Sequence, residues 1–190
     1  MKNAVILHGT GADSQSNWFP WIKERLEEEE GYKVWVPDLP NSMNPNATVN
    51  AKHVLDNWQF DEDSLIIGHS SGAVLVLFLL QNLPKNIVVD KAFLVSVFKD
   101  TLGWPNLKNL FSEPLNWEKI KKSVRKITLL HSNNDPYISL DQAEFIAKKL
   151  NAKLIVKENQ GHFLCAQFPT LLKIIEESAP KTATTIISNA

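Results

Sequence analysis

The sequence predicts an α/β chain whose strands form a parallel sheet joined by right-handed crossovers. Three observations predict it. Six short apolar runs recur along the 190 residues: Ala4–Leu7, Val34–Val36, Leu65–Ile67, Ala92–Val97, Ile127–Leu130 and Leu154–Val156. Most are β-branched-rich and nearly continuous rather than alternating, as strands covered on both faces are. Helix-period patterns lie between them, and one junction, "LIIGHSSGAVLVLFLL" (65–80), passes from an apolar strand through two glycines into a second apolar run.

Each element has its own signal. "AVIL" stops at His8-Gly9 and is too short for a signal-peptide core, so it is expected to be the first strand. From Trp18 to Glu30 the residues Trp18, Trp21, Ile22, Arg25 and Leu26 fall at helical spacing, and Glu27–Glu30 form a solvated helix end. "NSMNPNATVN" (41–50) is expected to be a loop, with His53 beyond it on the solvent side of a helix. Ala73–Leu80 has no polar face, which predicts a helix buried against the sheet. Ser139 with Gln142 three residues on predicts a capping box opening a helix over Leu140–Leu150. Phe168–Ala179, with Leu171, Leu172 and Ile175 on one face, predicts the last helix. The segment 98–123 is long, aromatic and proline-containing, and is expected to cover part of a site; the tail from about 180 is expected to be frayed or a small edge addition.

Composition narrows the function classes. The chain is 44% hydrophobic and 22% charged with a formal net charge of -1, so no basic field exists to recruit nucleic acid or an anionic membrane. Ala73–Leu80, the longest apolar run, is far short of the ~18 residues that span a bilayer. A single cysteine, Cys165, allows no internal disulfide and fits a reducing, cytoplasmic setting. With no linker or repeat, residues 1–190 are expected to form one domain.

The chemistry concentrates where strands end, because ligands of open parallel sheets bind beyond the carboxyl ends of the strands. Gly68-His69-Ser70-Ser71-Gly72 follows the third run. A serine on a sharp strand-to-helix turn sits in a strained backbone, so the positions two before and two after it must lack side chains. Such a turn lifts Ser70 Oγ clear of the sheet and turns the Ser71 amide toward a developing oxyanion. A serine hydroxyl needs a base, and the base needs a third group to fix its tautomer. Asp135 follows the fifth run in "HSNNDPYIS", and His162 follows the sixth in "NQGHF". Ser70, Asp135 and His162 therefore arrive in the chain order of α/β-hydrolases, each just past a strand.

Competing residues fit other roles better. Asp141 lies in a first helical turn, where a carboxylate complements the helix dipole. Asp38 suits loop geometry or a pocket wall, His131 a packed position within the fifth strand, and His69 an orienting or packing role. His8-Gly9-Thr10-Gly11 closes the first strand, with the amide of Thr10 or its neighbour as the second oxyanion donor. It lacks the lysine and glycine spacing of a phosphate loop. Cys165 is expected to be a small core filler. No histidine or carboxylate pair has metal-ligand spacing, so neither metal nor cofactor is expected. Trp18, Trp21, Trp104 and Phe111 are candidates for an apolar pocket wall.

With these residues in place, the chain resembles the small serine hydrolase family that includes retinoblastoma-binding protein nine and its bacterial relatives. The resemblance rests on "ILHGTGADSQSNWFPWIKERLE", "VPDLP", "LIIGHSSGA", "EPLNWEKIKKSV", "SNNDPY" and "QGHF", spread over nearly the whole chain. It implies a three-layer minimal α/β-hydrolase with a six-stranded parallel sheet, no antiparallel strands and no large lid. It also implies a catalytic triad mapping onto Ser70, Asp135 and His162, and places Trp18 and its neighbours, after the glycine loop, near the pocket; His8, Gly9 and Gly11 are further pocket candidates. The partner interaction in that family's name does not transfer, since the only cysteine stands in "FLCAQ" and not in L-x-C-x-E. The expected activity is cleavage of a small carboxylic ester through an acyl-enzyme. An amidase or peptidase with the same triad, and a hydrolase-fold protein-binding module without turnover, stay open on the sequence.

Overall fold

The computed structural model describes residues 2–178. Six parallel strands are ordered β2-β1-β3-β4-β5-β6, from β1 (Asn3–Leu7), β2 (Lys33–Trp35), β3 (Ser64–His69), β4 (Val89–Val95), β5 (Val124–Ser132) and β6 (Lys153–Lys157). The helices are α1 (Phe19–Glu28), α2 (Ala47–Asn57), α3 (Ser71–Asn82), α4 (Trp117–Lys122), α5 (Leu140–Leu150) and α6 (Pro169–Glu177), with a 3₁₀ helix at Pro105–Leu110. The final residue of the last expected helix, Ala179, and the tail from 180 lie outside the described residues.

Alternation along each strand splits the core in two. Ala4 and Ile6 of β1, Leu65 and Ile67 of β3, and Phe93 and Val95 of β4 join Phe19, Ile22 and Leu26 of α1 and Leu171 and Ile175 of α6. Val5, Leu7, Ile66, Ala92 and Leu94 face the other way, onto α2, α3, α4 and α5. The continuous apolar runs follow from this arrangement, since both faces of the sheet are covered. Every residue of α3 from Ser71 to Leu80 is buried; the helix packs on β3, β4 and β1 and is flanked by α2 and α4.

Four expectations are corrected. The loop over 41–50 stops at Asn46, whose side chain accepts the Val49 amide at 3.1 Å and caps α2, so Ala47–Asn50 are helical. β4 ends at Val95 and not Val97, because Ser96 turns to φ 51°. The capping box of α5 does not form: Gln142 instead accepts the Lys99 amide at 2.9 Å, and the Ser139 side chain makes no cap bond. His53 is half-buried, its ring 5.9 Å from that of Trp35. At the helix end after Leu26, Arg25–Glu29 and Lys23–Glu27 pair one turn apart on the surface.

Two glycines let α3 start where it does. A Cβ on Gly72 would overlap the carbonyl oxygens of Leu7 and His8, and one on Gly68 would lie 2.6 Å from Ala73 Cα. Neither has a positive φ, so the constraint is closeness of backbones and not conformation. Gly31 is the converse, at φ 69° with nothing among the described residues within 4 Å of its missing Cβ. Gly72→Ala is therefore expected to destabilise by about 3 kcal/mol or to prevent folding, against about 1 kcal/mol for Gly31→Ala; urea unfolding of both variants checks the order.

Candidate active site

Ser70 stands between β3 and α3 at φ 56°, ψ −124°. Its amide donates to Val95 O at 2.8 Å and its carbonyl accepts the Ala73 amide, so the turn is held from both sides. Ser71 is the first residue of α3, and its N–H is one of the donors a helix start leaves without an intrahelical acceptor. The glycine loop after β1 presses on this turn. A Cβ on Gly9 would come within 3.0 Å of Ser70 Cβ, and the Thr10 hydroxyl donates to Ser71 Oγ at 2.9 Å. Gly11 donates its amide to Ser42 O at 3.1 Å and Ala12 its amide to Gly9 O.

Asp135 and His162 meet beyond β5 and β6. His162 Nδ1 lies 2.7 Å from Asp135 Oδ2. Burial pushes the Asp135 carboxyl up, but the hydrogen bond and charge of His162, the Tyr137 amide and the Ser96 hydroxyl outweigh it and leave the carboxyl below its ordinary range. A carboxylate accepts, so Nδ1 carries a proton, and in the neutral ring the lone pair lies on Nε2. The His162 loop is shaped by "SNN" at the end of β5. Asn133 Oδ1 accepts the Asn159 amide, Asn134 Oδ1 the Gly161 amide, and Ser132 Oγ the Gln160 amide, at 2.9–3.0 Å. Two buried rings hold the next stretch: His69 Nε2 donates to His162 O at 2.8 Å and Trp18 Nε1 to Phe163 O at 3.1 Å.

Ser70, Thr10 and His162 line one open cleft of about 250 Å³. Phe98, Leu102, Trp104 and Leu107 line it from the segment after β4, so 98–123 covers the site only in part; Tyr137, Ile138 and Leu164 line it from the loops after β5 and β6. Among the described residues, no Asp, Glu, Lys or Arg lines it.

Several expected pocket residues lie elsewhere. Trp18 is fully buried among Phe19, His69 and Phe168, on the α1/α6 face; its role is to grip the His162 loop from beneath. Trp21 lies on α1 against Arg25. Phe111 sits one layer behind the cleft, its ring 5.9 Å from Phe98, because the 3₁₀ helix turns it to the core. His8 is buried, with Nε2 accepting the Leu39 amide and Nδ1 donating to Gly9 O, both at 2.9 Å; it ties the glycine loop to the segment after β2. Gly9 and Gly11 back the loop against Ser70 and Met43.

His131, Asp38 and Cys165 are placed as their surroundings in the sequence suggest. His131 is fully buried and donates Nε2–H to Ile138 O at 2.9 Å. Asp38 accepts the Ser14 amide at 2.7 Å, and half-buried Cys165 packs beside the α1/α6 core. Among the described residues no group of His, Cys, Asp or Glu is arranged to hold a metal ion, and no helix is long and apolar enough to cross a membrane.

Ser96 is the residue that sequence reasoning missed. It is fully buried, sits at φ 51°, and donates Oγ–H to Asp135 Oδ2 at 2.9 Å, the oxygen that also receives His162. Its one sequence signal was a lone polar residue inside "FLVSVF".

A parallel sheet with helices on both faces, a strained serine at the β3–α3 turn and an acid–histidine pair past the last two strands define an α/β-hydrolase. The comparisons agree. A family model for serine hydrolases matches residues 4–171, and the chain belongs to that family. Serine hydrolase RBBP9 of Rattus norvegicus is 28% identical over 177 residues, 91% of this chain and 93% of that protein. YdeN of Bacillus subtilis is 26% identical over 184 residues, 92% of each; its crystal structure matches with TM-score 0.85 at 25% identity over 94% of this chain and 98% of that one. Est1E of Butyrivibrio proteoclasticus, solved with ferulic acid, shares the fold at TM-score 0.74 and 14% identity, over 93% of this chain and 87% of that one. The protein is a hydrolase.

Burial sets a pH dependence of stability. His69 is pushed down to about 3 by burial first and by neighbouring His162 second, and burial also lowers His8 and His131. An unfolded chain protonates these rings near pH ~6.5, so their contribution is whole above that pH and is lost as pH falls toward 3. Between pH 6.5 and 5, His69 alone removes about 2 kcal/mol of unfolding free energy. Urea unfolding at pH 7.5 and 5.0 measures it, and equal stabilities would show that the ring protonates inside the fold.

Proposed function

We propose that the chain is a carboxylesterase-like serine hydrolase in which Ser70, His162 and Asp135 act as nucleophile, base and orienting acid. One observation carries this reading: the 2.7 Å His162–Asp135 hydrogen bond faces the same cleft as a serine held at φ 56° on a strand-to-helix turn. Ser70 Oγ attacks the ester carbonyl carbon as His162 Nε2 takes its proton. The amides of Ser71 and Thr10 hold the oxyanion; in the glycine loop, the amides of Gly11 and Ala12 already have backbone acceptors, which favours Thr10 as the second donor. Collapse expels the alcohol, which leaves with the proton from His162. Water, deprotonated by His162, then attacks the acyl-serine, and the acid departs as Ser70 regains its proton. Each oxyanion donor contributes about 3–4 kcal/mol to lowering the barrier.

The cleft favours an ester over an amino-terminal peptide substrate. An α-ammonium group needs a carboxylate partner when it is desolvated, and among the described residues no Asp or Glu lines the wall. The cleft is open above Ser70, which weighs against a binding module whose serine is sealed off.

Ser70→Ala is expected to abolish fluorophosphonate labelling and to lower p-nitrophenyl acetate hydrolysis by about 10⁴-fold or more, with the circular dichroism spectrum unchanged. Persistent labelling at another serine would overturn the assignment. Ser96→Ala keeps the labelled serine but removes one hydrogen bond to the Asp135 carboxylate, and kcat is expected to fall about tenfold; an unchanged kcat would leave Ser96 with a folding role alone.

A further inference from the structure

Resting on that reading, we propose that the cleft is divided into two subsites and selects uncharged, medium-length alkyl acyl groups, with Phe98, Leu102 and Leu107 forming the acyl subsite under the rim of Trp104. The division follows from the chemistry. The leaving oxygen must take its proton from His162, so the alcohol lies on the His162 side. Tyr137, whose ring is 5.1 Å from that of His162, and Leu164, two residues after it, flank that side. The acyl chain points away, toward the wall supplied by the segment after β4. Phe98 and Leu107 are almost completely buried and form its floor. Trp104, 42% exposed, closes the rim edge-to-face with Tyr137 at 6.2 Å.

Leu102 is the independent observation. It has φ 53° and is followed by Gly103 at φ 77°, in a turn closed by the Trp104 amide on Thr101 O at 2.8 Å. Such a turn takes Asn, Asp or Gly at its first central position, and a leucine there is a true outlier. A network holds it in place: Asp100 Oδ1 accepts the Leu102 amide at 2.9 Å, while Lys99 and Gln142 bind the other Asp100 oxygen. Gln142 Oε1 in turn accepts the Lys99 amide. A strained leucine braced in this way, with its side chain on the cleft wall, is explained by what that side chain does for the acyl group.

The test is a p-nitrophenyl ester series from acetate through butyrate and hexanoate to octanoate, with fluorophosphonate labelling of the same preparation. kcat/KM is expected to rise about two- to fourfold per added methylene up to hexanoate. The p-nitrophenyl monoester of adipic acid, which carries a carboxylate at the chain end, is expected to be at least about tenfold slower than hexanoate. Leu102→Gly relieves the backbone strain, so its unfolding midpoint should not fall, yet its hexanoate-to-acetate ratio should drop at least about fivefold. A flat or falling series in protein that labels at Ser70 overturns the acyl subsite and leaves the hydrolase reading standing. Absence of labelling and of turnover removes both. An unchanged ratio in Leu102→Gly overturns the role of Leu102.

Discussion

The hydrogen bond between His162 and Asp135 sets the demands that the rest of the molecule meets. Its partners come from loops after different strands, and a 2.7 Å contact tolerates little play in either. Parallel pairing of β5 with β6 brings Ser132 opposite Lys157, and the Asn133 amide continues the ladder onto Lys157 O at 2.9 Å. The loops leave the sheet side by side, and the "SNN" side chains then template the backbone from Asn159 to Gly161. His69 and Trp18 secure the carbonyls of His162 and Phe163 from below. Burial keeps His69 uncharged, and that is consistent with its place: its ring centroid is 4.8 Å from that of His162, where a second cation would oppose the protonated base of the proposed mechanism.

The serine reaches this pair through closeness of backbones. α3 begins against the carbonyls of Leu7 and His8, and the glycine loop after β1 lies on the Ser70 turn. His8 makes that loop rigid by bonding both its own neighbour Gly9 and the Leu39 amide, and Thr10 closes the remaining gap with its hydroxyl on Ser71. Gly9 and Gly72 thus act by absence of a side chain, and a sequence reading that placed Gly9 in a pocket mistook a packing requirement for contact with a ligand.

The sheet and the three placements past strand ends were legible because their signals are local and repeated. Continuous apolar runs mark buried strands, and the spacing of Gly68, Ser70 and Gly72 marks the turn. What stayed illegible depends on distant partners. The helix-capping role of Asn46 was available in "NPNATVN" but was outweighed by the turn-forming residues around it. Gln142 looked like half of a capping box, yet a stronger use for its amide lay across the fold at Lys99 and Asp100. Ser96 sat inside an apolar run that reads as uninterrupted strand, and only the position of Asp135 gives its hydroxyl a purpose. Trp18 and Phe111 had the chemistry of pocket walls; which face of the sheet each one joined was decided by tertiary packing.

Backbone strain separates the site from its scaffold. Asparagines at positive φ, such as Asn17, Asn41 and Asn151, sit where that residue tolerates the left-handed region at little cost. The other non-glycine residues at positive φ among those described are Ser70, Ser96, Leu102 and Phe163, none of which has that tolerance. Ser70 is the proposed nucleophile, Ser96 binds the acid beside the base, Leu102 lines the cleft, and Phe163 follows His162 and anchors its loop on Trp18. Each such residue costs of order 1–3 kcal/mol; Ser70, Ser96 and Phe163 are each held by a hydrogen bond to a different element or loop, and Leu102 by Asp100 of its own loop. Strain confined to the residues around one cleft, and absent from the helices and strands that carry them, is what a rigid scaffold holding reactive groups requires.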